Sequence, residues 1–151
     1  MTSLPLLYQQ ACALVEGEPD WIANCANLSA LIFNELPQVN FAGVYRYENG
    51  ELILGPFQGK PACIHIPLGK GVCGTAAETK KIQIVSDVHR FKGHIACDEA
   101  TRSELVVPIW QDGKLWGVFD LDSPILDRFK PNDARLIDQI ATLIWSADQR
   151  N

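Results

Sequence analysis

Three of the five cysteines stand where a thiol could react. Cys63 lies in Ala62-Cys63-Ile64-His65-Ile66, Cys73 in the glycine-bracketed turn Gly71-Val72-Cys73-Gly74, and Cys97 in a polar stretch beside Asp98 and Glu99. A thiolate is a nucleophile, and a second thiol within reach turns its oxidised form into a disulfide. Cys12 and Cys25 differ. They fall in or beside apolar helical stripes, where cysteine behaves as a small hydrophobe. No Cys-x-x-Cys occurs, and His65, His89 and His94 have no zinc-finger spacing, so neither a structural zinc nor any other metal is expected.

Carboxylates form the second group. Asp120 and Asp122 alternate at the end of an apolar run, Leu115-Trp116-Gly117-Val118-Phe119. In a strand both leave the same face, with Cα atoms roughly 6.5 Å apart. Two like charges on one face are tolerable in water, or where a proton or a cationic ligand sits between them. Glu104 depends on the turn of the last hairpin. A two-residue loop, Asp112-Gly113, puts it across from Leu121, on the face away from Asp120. A three-residue loop, Gln111-Asp112-Gly113 with Gly113 left-handed, puts it across from Asp120. The sequence permits both. Glu104, Asp120 and Asp122 are expected to line one cavity together, so the three-residue loop is the expected one.

The elements that must hold these residues can be read from periodicity. Leu7, Ala11, Leu14 and Val15 recur at helical spacing, as do Trp21, Ile22, Cys25, Leu28, Leu31 and Ile32. Glu16 to Asp20 separates the two helices, with Asp20 as N-cap of the second. Strands are expected over 41–47 and 51–57 around Asn49-Gly50, over 62–66 with Cys63 and His65 on one face, and over 82–85. A short helix is expected over 72–80. Residues 86–103 are polar and without clear period, which is often the mark of a functional segment. Two strands, 104–110 and 114–122, precede a last helix with Pro131 near its first turn and an apolar stripe of Leu136, Ile137, Ile140, Leu143 and Ile144. Strands in a run with helices at the ends indicate an α+β fold: a central antiparallel sheet of about six strands, with the N- and C-terminal helices packed on one face.

Composition sets the outer limits. The 151 residues, 47% hydrophobic, suit one domain spanning 1–151. No apolar run is long enough for a membrane span, and the N-terminus has no basic and apolar secretory pattern, so the cytoplasm is expected. A net charge of −5 without a basic cluster argues against nucleic acid.

Taken in order, the three cysteine segments, Ala62-Cys63-Ile64-His65-Ile66, Gly69-Lys70-Gly71-Val72-Cys73-Gly74-Thr75-Ala76 and His94-Ile95-Ala96-Cys97-Asp98, resemble the free methionine-(R)-sulfoxide reductases, single-domain GAF proteins. Ser103-Glu104 and Phe119-Asp120-Leu121-Asp122-Ser123 belong to the same resemblance, which covers about residues 20 to 147. It implies a GAF-like fold and reduction of free methionine-(R)-sulfoxide by thiolate attack, without a cofactor. Cys97 matches the attacking cysteine, Cys63 the resolving one, and Cys73 a third that supports or replaces it. Glu104, Asp120 and Asp122 match acidic residues of the substrate pocket. The family often carries Trp at Phe41, packed on the substrate methyl group; Phe offers the same contact with less area. The resemblance also implies recycling by thioredoxin or a similar dithiol, and a homodimer. A non-catalytic GAF ligand or redox sensor, and a general peroxide-reducing thiol protein, are the alternatives. Turnover of methionine sulfoxide against hydrogen peroxide separates them.

Overall fold

A computed structural model describes residues 3–95 and 97–145 of the chain. Two helices open it, α1 (Leu4–Val15) and α2 (Trp21–Glu35). Asp20 caps α2 by accepting from the Ala23 N–H, which satisfies one of the donors a helix start leaves open. Six strands come next: β1 (Phe41–Glu48), β2 (Glu51–Gly59), β3 (His65–Pro67), β4 (Gln83–Val85), β5 (Ser103–Gln111) and β6 (Lys114–Ser123). Helix α3 (Gly71–Thr79) lies between β3 and β4, and α4 (Pro131–Thr142) closes the described fold with a 3₁₀ turn over Leu143–Trp145. The strands form one antiparallel sheet in the order β3-β2-β1-β6-β5-β4. Among the described residues, no helix is long and apolar enough to cross a membrane.

The sheet separates two cores. On one face α1, α2 and α4 cover Val44, Leu105, Val107, Phe119 and Leu121, and they bring Leu28, Ile32, Ile137 and Ile140 against them. Each such side chain contributes about 1.5–3 kcal/mol by leaving water. Cys25 is fully buried here and Cys12 half-buried at its margin, as the apolar stripes predict. Leu14 and Ile22 do not join them; they are exposed at the flanks of their stripes. On the other face α3 packs over Phe41, Tyr45, Leu52, Val106 and Val118.

Two details of the sheet differ from the sequence expectation. The third strand is shorter than 62–66, and Cys63 lies ahead of it, on no strand face shared with His65. Its partner explains this. The pairing Ile53↔His65 would run on to Gly55↔Cys63 and Pro56↔Ala62, but β2 is bulged there, opposite Gly43 to Tyr45, and Pro56 has no N–H for the ladder. The last hairpin also differs. Its turn has two residues, Asp112 (φ 52°) and Gly113 (φ 76°), both left-handed as a tight hairpin requires. Gln111 pairs with Lys114 and Trp110 with Leu115, and the register then shifts so that Ile109 faces Gly117. Trp116 is the extra residue of a bulge. Leu115 packs toward α3, whereas Trp116 packs on the opposite core, its indole 5.1 Å from that of Trp21 and 5.2 Å from that of Trp145. Glu104 therefore faces Asp122, not Asp120, and shares its side of the sheet. The bulge accomplishes what the longer loop was expected to do. Gly117 is fixed beside it, because a Cβ there would collide with the Tyr45 carbonyl oxygen.

Candidate active site

The α3 side of the sheet carries the chemistry. Alternation along β6 turns Asp120 and Asp122 to this side while Phe119 and Leu121 enter the opposite core. Glu104 from β5 joins them. Cys73, in the first turn of α3, comes down onto the group, with its thiol 3.7 Å from a Glu104 carboxyl oxygen. Asp120, Glu104 and Cys73 are buried, at 4%, 8% and 5% exposure, so Asp120 is no solvent-facing strand end. These residues line one half-open cavity of about 50 Å³ together with Phe41, Tyr45 and Cys97. Phe41 stacks on Phe57 at 5.3 Å between ring centroids.

Burial governs the charge of this cluster. Desolvation first, and then the charges of Asp120 and Asp122, hold the Glu104 carboxyl well above the usual carboxylate range. Asp122 is held up by burial and then by the charge of Asp120. Asp120 is also raised by burial, but hydrogen bonds from Glu104, Asp122 and Cys73 pull it back down. Burial thus favours the neutral form of Glu104 and Asp122, while the neighbours of Asp120 favour its charged form. One oxygen of Asp120 and one of Asp122 are buried and accept no hydrogen bond. A bound ammonium group, or a further proton, would satisfy them. The Cys73 thiol is pushed far up by burial and then by Asp120 and Glu104, so it is held as a thiol. Sulfur and carboxyl oxygens of Cys73, Glu104 and Asp120 lie within 4.8 Å of one another, a spacing compatible with a cation.

Cys97 reaches the cavity from the stretch 86–102, whose described residues hold a short 3₁₀ turn at Val88–Arg90 and otherwise turns and coil. Its sulfur is joined to Cys63 in a disulfide, with Cα atoms 5.6 Å apart. Cys97 is exposed and Cys63 half-buried. The Tyr45 hydroxyl donates to the Cys63 carbonyl at 3.2 Å. The structure thus brings Cys97, Cys73, Glu104, Asp120, Asp122 and Phe41 to one cavity, with Cys63 bonded at its rim. Ala96 lies outside the described residues.

Sequence reasoning missed Tyr45 and three basic residues at the cavity wall, Lys60, Lys70 and His94. Tyr45 was within reach of strand periodicity, since period two from Phe41 through Gly43 puts it on the same face. Burial, and then the carboxylates and Cys73, keep its hydroxyl protonated. His94 is lowered by partial burial and by His89, whose ring is 6.0 Å away, so it tends toward the neutral form.

A paired thiol, buried carboxyls and an aromatic wall in one cleft are a setting for redox chemistry on a small molecule. Comparison with known proteins agrees. A GAF domain model matches residues 11–147. The chain is 47% identical over 142 residues to the free methionine-R-sulfoxide reductase of Escherichia coli (strain K12), covering 91% of this chain and 86% of that one. To the Saccharomyces cerevisiae enzyme of the same name it is 48% identical over 139 residues, covering 87% and 77%. Its fold matches the structure of fRMsr of Staphylococcus aureus (reduced form) with a TM-score of 0.93 at 52% identity, over 97% of this chain and 96% of that one. With fold, sequence and cavity in accord, the chain belongs to the GAF domain family and, within it, to the free methionine-R-sulfoxide reductases.

Proposed function

We propose that this protein reduces free methionine-(R)-sulfoxide to methionine. The observation that carries the reading is the position of Cys97: it lines the cavity of Glu104, Asp120 and Asp122 while bonded to Cys63. In this mechanism the Cys97 thiolate attacks the sulfoxide sulfur. The oxygen leaves the substrate and remains on Cys97 as a sulfenic acid, with a proton supplied from the Asp122 or Glu104 carboxyl. Cys63 condenses with the sulfenic acid, releasing water and closing the disulfide. Cys73, held as a thiol against Glu104, is the reserve resolving group. Asp120 and its neighbours receive the substrate ammonium, and Phe41 packs on the methyl group. A dithiol protein such as thioredoxin resets the disulfide. The reading also takes the enzyme as a cytoplasmic homodimer.

The test is one assay with a recycling dithiol and three oxidised substrates: the free racemic sulfoxide, a peptide-bound sulfoxide and hydrogen peroxide. Chiral chromatography should show loss of the R epimer only, with the other two substrates slow. Equal loss of both epimers, or preference for peptide or peroxide, refutes the proposal.

A further inference from the structure

We infer that the dithiol resetting the Cys63–Cys97 disulfide attacks the sulfur of Cys97 and expels Cys63. The inference builds on the recycling step of the proposed function. Exchange at a disulfide needs the incoming, attacked and departing sulfurs nearly in line, so the attacker enters from behind the sulfur it strikes. The two cysteines differ in exposure, and the more exposed residue offers the easier approach. Cys63 is half-buried, packs against the apolar cluster under α3, and has its carbonyl held by the Tyr45 hydroxyl at 3.2 Å. Cys97 is exposed and belongs to neither apolar cluster of the described residues. The neighbour following Cys63, Ile64, is 58% exposed and offers an apolar contact to a docking protein.

Atoms and electrons balance in two exchanges. The partner's first thiolate bonds to the Cys97 sulfur, the bond to Cys63 breaks, and Cys63 departs with the electron pair. The partner's second thiolate then attacks the partner's own sulfur and releases Cys97 as a thiolate. Two electrons pass from dithiol to disulfide. One consequence is kinetic: Cys97 cannot meet substrate until the partner has gone, so reset and reduction exclude each other in time.

The experiment needs no sulfoxide. The full chain is oxidised with diamide and mixed with a thioredoxin whose second cysteine is serine; acid-quenched samples are digested and mapped by mass spectrometry. The expected adduct is on Cys97, in at least about tenfold excess. A second measurement covers an adduct that collapses too early. Cys63→Ser and Cys97→Ser proteins, each carrying thionitrobenzoate on the remaining member of the pair, are discharged by the same thioredoxin variant. Release from Cys97 should be at least about tenfold faster. An adduct on Cys63, or equal discharge rates, overturns the inference. A protein that reduces no sulfoxide but gives the Cys97 adduct fails the proposed function alone.

Discussion

Strand β6 has two faces that use burial to opposite ends. Phe119 and Leu121, fully buried, meet the helices and stabilise the fold. Asp120 and Asp122, their immediate neighbours, are carried to the other side at a cost in desolvation. The cysteines repeat the contrast. Cys25 is raised to about 12 by burial alone, inside an apolar core. Cys73 is raised by burial and then by carboxylates it touches, inside a cavity open to small molecules. One face of the sheet stores stability. The other gives some of it up to bury carboxyl groups, which shifts them toward the protonated form.

Substitutions can break this division. The largest effect is expected at Cys97. Cys97→Ser should form no methionine even in a single turnover, whereas Cys63→Ser should form one equivalent and then stall with a protein dithiol, apart from flux through Cys73. Rapid quench with chromatography reads both. If Cys63→Ser loses the first turnover and Cys97→Ser keeps it, the roles are exchanged.

Asp122→Asn should lower turnover by about 10²-fold, a common loss for a general acid. It should also stabilise the protein at neutral pH. The direction of the shifts sets the sign. Glu104 and Asp122 bind their protons more tightly folded than unfolded. Their contribution is therefore fully present below about pH 4 and is lost as pH rises toward the raised folded values. Thermal melts from pH 4 to 8 should fall less steeply in the variant. An unchanged slope would remove Asp122 from the buried proton store.

The smallest effect on chemistry is expected from the opposite face. Leu121→Ala should cost about 2–5 kcal/mol by denaturant unfolding. Its single-turnover rate, below the unfolding transition, should stay near wild type. A rate loss comparable to that of Asp122→Asn would mean that the two faces are not separable.

Much of this plan is local and therefore legible in the sequence. Asn49-Gly50 and Asp112-Gly113 mark hairpins because tight turns demand left-handed residues, and both pairs adopt them. The stripe of Leu136, Ile137, Ile140, Leu143 and Ile144 is buried as expected, though its last two members lie in the 3₁₀ turn that follows α4. The features that escaped the sequence depend on a partner strand. The end of β3 is decided by Pro56, and the side taken by Glu104 by a bulge at Trp116. A bulge of this kind has no turn chemistry of its own; the Trp116 side chain selects it by packing against Trp21 and Trp145, which are remote in sequence. The link between Cys63 and Cys97 was likewise invisible to periodicity and came only from family resemblance.

The Trp116 bulge also divides the last hairpin into two stretches with different tolerance to changes in length. Loss of Trp116 itself would leave every later pair intact, from Ile109↔Gly117 to Glu104↔Asp122, because the ladder simply closes over the missing residue. Loss of one residue between Val118 and Leu121 would invert the alternation of the rest of the strand relative to Gly117 and send carboxylates toward the helices. The hairpin thus behaves like a reading frame with a single neutral position. In diverging copies of this chain, length variation within the hairpin should gather at the bulge, while the five residues from Gly117 to Leu121 keep their count even where their identities drift.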